Sequence, residues 1–148
     1  MVVDIVAAAT ASGSGFQSRV SSVLNRNVKE FGKKHLFDGK EDTCWNSEQG
    51  SPQWIHLAFD ENQSVDGIEL VFQGGFVGQN CHLEATCSEG GGGGEFVKCL
   101  DFYPEDTNKL QTFKLERPVT AKAFRVVFSD STDFFGRITV YTLRLLNY

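Results

Sequence analysis

The sequence predicts an all-β fold, a jelly-roll β-sandwich. Three observations carry this reading. Short runs alternate apolar and polar residues with a period of two, the pattern of strands that bury one face. Gly, Asp, Asn and Pro separate these runs, and each of those residues favours a turn. No heptad, internal repeat or strong helical period competes with the strand signal. With 148 residues, 41% of them hydrophobic and 13 of them Phe, the chain can fill one core of useful size. Residues 16–148 are read as a single β-sandwich domain, and 1–15 as an N-terminal arm or first strand.

The elements follow in order. Residues 2–11 are mildly apolar but carry Asp4 and lack a basic start, so they do not read as a signal peptide. They are also too short to span a bilayer. Residues 20–25 offer the one weak helical turn. QWIHLAF, 53–59, places Ile55, Leu57 and Phe59 on one face, and VDGIELVF, 65–72, aligns Ile68, Leu70 and Phe72. Further strands are expected at 96–102, 110–115, 123–128 and 138–146. The last is apolar on both parities, as in a central strand covered on both sides. Residues 74–78 read as a glycine-rich bend, and 89–95, with five consecutive Gly, as a solvated hairpin tip. That run lacks the Lys-Ser/Thr and helix start of a phosphate cradle.

Composition narrows the function. The formal charge is −5, and the cations are scattered except for Lys29, Lys33 and Lys34. A general nucleic-acid binder needs a basic face to release counterions, so direct nucleic-acid contact is not expected. Attraction to anionic lipid is disfavoured for the same reason. With no leader apparent, the expected localisation is nucleus or cytoplasm. Cys44, Cys81, Cys87 and Cys99 are expected to stay thiols there. Cys81-His82 with Cys87 invites zinc, but no ligand pair has the close spacing of a structural site.

The densest stretch is LFDGKEDTCWNS, 36–47. A tight Asp38-Gly39 turn, an acidic step and Thr43-Cys44-Trp45 gather oxygens in one loop between apolar anchors. Together with Ser21-Ser22 upstream, Trp54-Ile55 and Leu57 in the next strand, and the closing apolar run 143–146, this order resembles the discoidin, or coagulation-factor C-type, family of galactose-binding-like domains. The resemblance covers residues 16–148 and implies the jelly roll. The words SRVSSVLNRN, FGKKHLFD, TCWNS, FQGGF, DFYPED and TDFFGR further resemble a family of small intracellular proteins that consist of this one domain and associate with an orphan nuclear receptor. That likeness implies a non-enzymatic module that binds the receptor and represses its transcriptional activity.

Candidate sites follow from both readings. The wider fold often holds calcium at the loop matching Asp38 and Thr43, so a structural calcium ion is implied there. An acid that relatives supply from the last strand is missing at Tyr141-Thr142-Leu143, with Glu41 and Asp42 as substitutes. The alternative is that Asp38 and Thr43 only cap their loop. A calcium-dependent carbohydrate-binding module is the second functional reading. It is disfavoured because no Arg lies between Arg26 and Arg117 to make the sugar-gripping pair beside His56 or His82. Phe31 and Phe76 are candidate lipid spikes, opposed by the acidic charge. No nucleophile–base set marks an enzyme; Asp130, Asp133, Glu105 and Asp106 read as turn carboxylates.

The partner-binding candidates are Phe76, Phe134, Phe135 and Arg137. Two consecutive Phe cannot both face inward from a regular strand, so one is expected to be exposed. The competing expectation is that the loop bends and both rings plug the barrel end. A receptor-binding Leu-x-x-Leu-Leu helix is absent: 143–146 falls one residue short and lies in a strand. Receptor binding must therefore use another surface.

Overall fold

In the computed structural model, residues 2–13, 15–86 and 95–148 are described. Residues 87–94, with Cys87 and the five glycines at 90–94, lie outside the described residues. In chain order the elements are β1 (Val3–Asp4), α1 (Ile5–Ala11), β2 (Phe16–Val20), α2 (Val28–Phe31), β3 (Trp45–Asn46), β4 (Gln53–Phe72), β5 (Gly78–Thr86), β6 (Phe96–Phe102), β7 (Gln111–Ser131) and β8 (Thr139–Asn147). Single 3₁₀ turns occupy Leu24–Arg26 and Lys33–Leu36.

Two long antiparallel strands make both layers. The first half of β4 pairs with β2 and with the second half of β7, which continues to β5 and then β6. The second half of β4 pairs with the first half of β7 on one side and β8 on the other. β1 and β3 add short ladders beside β8. Both long strands therefore cross from one layer to the other, and the register breaks between Ala58 and Gln63 where they bend.

This explains why four predicted strands became two. The polar stretch at 60–64 marks the bend of one continuous strand rather than a turn between two. Pro118 is tolerated in β7 because the register jumps from Val65↔Val119 to Gly67↔Lys114. Residues 115–118 bulge there, and no ladder N–H is required of the proline. β5 was not anticipated: its inward residues are Cys81, Leu83 and Ala85, a small and weakly apolar set.

The N-terminal segment is not a loose arm. β1 pairs with the end of β8, Val3 opposite Asn147. α1 then buries Ile5, Val6 and Ala9 in the common core. Asp4 caps it by accepting from the Ala7 amide at 3.2 Å. A helix this short and β-branched does not form alone; its packing on the sandwich holds it. The helical turn expected at 20–25 does not form as such: Val20 ends β2, and the turn at Leu24–Arg26 has a left-handed backbone at Asn25 and Arg26, φ +53 and +55.

The core lies between the layers. Phe128 sits 6.3 Å from Trp45 and 5.7 Å from Phe72, ring to ring. All three are essentially fully buried, each contributing roughly 1.5–3 kcal/mol by leaving water. β8 buries Val140, Leu143, Leu145 and Leu146, but Thr142 and Arg144 stay half-exposed and the register shifts between Val71 and Phe72, so the coverage of both faces expected from the sequence holds only toward its end.

One buried polar side chain ties this core to the loops. Gln53, 4% exposed, accepts from the Ser22 hydroxyl at 2.8 Å and from that of Ser21. Its amide donates to the Gly50 carbonyl at 2.9 Å and the Glu48 carbonyl at 3.2 Å. The Trp45 indole N–H donates to the Ser22 carbonyl at 2.9 Å. The Ser-Ser pair, the Trp and the strand start thus close one network. Replacing Gln53 by Leu leaves two hydroxyls and two carbonyls short of partners. The variant is expected to lose about 2 kcal/mol of stability in urea unfolding; a loss below about 0.5 kcal/mol would show that the network is incidental.

Candidate functional site

At one end of the sandwich, three loops are stitched together by backbone bonds. The Thr132 amide donates to the Val77 carbonyl at 2.8 Å, and the Thr139 amide to the Phe76 carbonyl at 3.1 Å. The Gly50 amide donates to the Phe135 carbonyl at 2.8 Å. The Gly75 amide is held by the Asp106 carboxylate at 2.8 Å. Loops 47–51, 73–77 and 131–138 therefore share one frame.

Within that frame, Asp133–Gly136 is a β-turn closed by the Gly136 amide donating to the Asp133 carbonyl at 3.0 Å. Gly136 has φ +86, and a Cβ there would meet the Gly50 carbonyl at 2.8 Å. Glycine is required both for the left-handed backbone and for the close approach. The Asp133 carboxylate then clasps Arg137. It accepts from Nε at 3.0 Å, from Nη2 at 3.1 Å and from the Arg137 backbone amide at 3.1 Å. These hydrogen bonds hold the Asp133 carboxyl below its ordinary value.

The clasp sets the aromatics. The Arg137 guanidinium lies 5.1 Å from the Phe76 ring centre and 5.8 Å from that of Phe135. Phe135 meets Phe134 edge-on, centres 5.2 Å apart. Phe134 is 94% exposed and Phe135 52% exposed. The expectation that both rings plug the barrel end is therefore overturned. Val77 and Ile138 take the buried positions of these loops, and the turn aims its central residues outward. The four partner-binding candidates, Phe76, Phe134, Phe135 and Arg137, come together at one place. Beside them Ser51, Gln79, Asp130 and Asp133 line a polar cleft of about 390 Å³. Asp133 as the clasp was not anticipated, although Asp-x-x-Gly-Arg, a turn with a carboxylate four residues before a cation, is legible in the sequence.

The Asp38 loop is built differently. Asp38 Oδ2 accepts from the Thr43 hydroxyl at 2.6 Å and lies 3.3 Å from His35 Nδ1, while Oδ1 accepts from the Lys40 amide at 2.9 Å. Burial raises the Asp38 carboxyl, but these hydrogen bonds outweigh it and keep the group below its ordinary value. The oxygens named for a cation are thus engaged with one another, in the manner of a loop cap. Among the described residues no group of three or more His, Cys, Asp or Glu converges as a metal site.

The remaining candidates scatter. Cys81 is buried while His82 stands on the outer face of β5, so strand alternation separates the pair. Burial pushes the Cys81 and Cys44 thiols up, and the Cys99 thiol to about 11. His56 and His82 lie on the outer face of the sheet; His56 stands in a cross-strand row unforeseen from sequence, with Arg19, Arg125, Glu84 and Lys98, and His82 lies 3.2 Å from Glu84. Arg125 stacks on Phe96 at 3.9 Å and pairs with Glu84 at 3.5 Å. Asp130 accepts from Asn80 at 3.2 Å. Phe31 is only half-exposed. Leu143, Leu145 and Leu146 are buried in β8 and form no helical ligand.

Comparison with known proteins places these observations. The F5/8 type C domain profile matches residues 9–140. Nuclear receptor 2C2-associated protein of Xenopus laevis is 58% identical over 132 residues, covering 89% of this chain and 93% of that protein. Its human counterpart is 50% identical over 130 residues, covering 87% and 89%. Among solved structures, an F5/8 type C domain from Bacteroides fragilis aligns with a TM-score of 0.74 at 18% identity, covering 99% of this chain and 95% of that one. A family 32 carbohydrate-binding module of Clostridium perfringens NanJ, in complex with galactose, aligns with a TM-score of 0.72 at 14% identity, covering 89% and 93%. At such identity the structural likeness bears on the fold alone.

The clasp makes stability depend on acid. The folded-state value of Asp133 lies below its unfolded value of about 3.9, so its contribution is complete above that pH. It is lost as pH falls through the folded value. Asp133→Asn is expected to be less stable than the parent near neutral pH. The gap in urea unfolding free energy should shrink once pH drops below about 3.9; a gap that stays constant would contradict the assignment.

Proposed function

The chain belongs to the F5/8 type C domain family, and from that premise we propose that it is a non-enzymatic module that binds the orphan nuclear receptor 2C2 and represses its transcriptional activity. The single observation that supports this most is its 50–58% identity to relatives named for that association. The loop-end cluster supplies a surface suited to a protein partner. Exposed aromatics beside an arginine are common interface anchors, and Phe134 is already held outward by a rigid turn. Pre-organisation of this kind lowers the ordering cost of association. The proposed mechanism is occlusion: the small acidic domain covers a receptor surface and reduces its dimerisation or DNA contact. The proposed compartment is where the receptor works, nucleus and cytoplasm, with no direct contact to nucleic acid or membrane.

Calcium at Asp38 and Thr43 is a secondary element of this proposal, with a structural role. Supporting it is the ionised state in which the loop holds Asp38. Binding would require the Thr43 hydroxyl to turn its lone pairs toward the ion. Calorimetric titration with calcium chloride should give a saturable heat that Asp38→Asn abolishes; no heat would leave the hydrogen-bonded cap as the whole role of this loop. The carbohydrate-binding reading has no observation in its favour beyond the shared fold.

The receptor proposal is tested by titrating purified full-length receptor with this protein and with Phe134→Ala. The variant should fold normally, since the ring is 94% exposed, and bind about tenfold more weakly or worse. Parent protein should lower receptor occupancy of its DNA element in a mobility-shift assay. Unchanged occupancy at saturating protein would contradict occlusion, and no binding at all would contradict the association.

A further inference from the structure

A second surface lies away from the loop-end cluster. An open cleft of about 990 Å³ runs between α1, β2, the 33–39 segment and β8. Its volume is at the upper end of the range for ligand sites, about 300–1,000 Å³. The floor is apolar: Val6, Leu36 and Leu143 are buried beneath it and Phe37 is half-buried beside it. One wall is the outer side of α1, where Ala7, Thr10 and Ala11 are exposed. The helix, IVAAATA, carries no charged residue. Its small side chains allow another chain to approach closely.

The opposite wall is cationic. Lys33 and Lys34 line it, with Arg19 on the outward face of the β2 edge beside them, and the Lys33 ammonium donates to the Ser18 carbonyl. None of the three forms an ion pair with a carboxylate among the described residues. The charges elsewhere on the rim are engaged. Arg144 pairs with Glu69 at 3.0 Å and Asp4 at 3.6 Å, and both Asp38 oxygens accept bonds within their own loop. In a chain of net charge −5, three cations without a carboxylate partner around one side of an apolar cleft are a local reversal of sign. They call for an anionic complement.

We propose that this cleft docks a short amphipathic segment of a partner protein. Its apolar side chains would fill the floor against α1, and its Asp or Glu residues would meet Arg19, Lys33 and Lys34. The form of the site favours a peptide: an open trough, an uncharged small-residue wall and cations along one side suit a helix with an acidic flank. The cleft is separate from the loop end that bears Phe134, so the domain can hold this segment and a loop-end partner at once. The inference stands whether or not the receptor reading does.

The test is a display library of random peptides of about twelve residues, panned on the full chain. Enriched sequences should combine Asp or Glu with two or more large apolar residues. A labelled enriched peptide, followed by fluorescence polarisation, should bind less tightly as salt is raised. Binding should weaken about tenfold in the double variant K33E/K34E. It should also weaken in Ala11→Arg, which intrudes on the helix wall, and persist in Phe134→Ala. Thermal unfolding of each variant guards against a folding artefact. No enrichment, enriched peptides lacking acidic residues, or binding indifferent to both cleft variants would overturn the proposal. So would binding lost in Phe134→Ala, which would assign the peptides to the loop end. Saturable displacement of the dye anilinonaphthalene sulfonate from the cleft by fatty carboxylates, with no peptide bound, would overturn it in favour of a small amphipathic anion.

Discussion

The buried amide of Gln53 is the constraint on which the loop end depends. It opens β4, the strand that crosses both layers, and it ends the segment 47–51 by donating to the Gly50 and Glu48 carbonyls. Gly50 in turn donates to the Phe135 carbonyl at 2.8 Å. Ser47 exchanges two bonds with Ile138: its amide donates to the Ile138 carbonyl, and its hydroxyl accepts from the Ile138 amide, both at 2.8 Å. A side chain 4% exposed thus fixes the height and angle of a turn whose tip is almost wholly in water. A buried amide is costly unless satisfied, and here it is satisfied only when the loops are in register. That coupling turns core packing into surface geometry.

The exposed cluster divides its work between polar and apolar groups. Asp133 and Arg137 form a bidentate pair, the geometry in which a surface ion pair carries directional information. The value of the pair lies less in stability, since partly exposed ion pairs contribute little, than in orienting the guanidinium toward Phe76 and Phe135. Phe134 stands outward from the turn, edge-on to Phe135. The face around α1 works by another logic: flat small residues, an apolar floor and unpaired cations. One domain of 148 residues thereby presents two chemically distinct surfaces.

Much of this was legible in the chain, for physical reasons that differ by element. The period-two runs at 53–59 and 65–72 signalled strands because half-buried sheets impose that alternation. They could not signal that both runs form one bent strand, because a polar bend and a polar turn look alike until the pairing partner is known. β5 was invisible because its inward set of Cys81, Leu83 and Ala85 carries little hydrophobic signal. α1 was missed because its helicity comes from tertiary packing. The adjacency of Phe134 and Phe135 made exposure of one ring legible. That both rings stay out follows from Gly136, whose left-handed backbone and contact with Gly50 depend on a loop eighty-odd residues earlier. Lys33 and Lys34 stand in a dense basic group already visible in the sequence, but Arg19 comes near them only because Lys33 donates to the β2 carbonyl of Ser18.

The loop end bearing Phe76, Phe134, Phe135 and Arg137 is the proposed receptor-binding surface. Hydrogen exchange of the full chain, free and in complex with nuclear receptor 2C2, tests it most directly. Slowed exchange at 73–77 and 131–138 is expected on binding, with the centres of β4 and β7 unchanged. Protection confined to other surfaces, with these two loops exchanging as in the free protein, would contradict it.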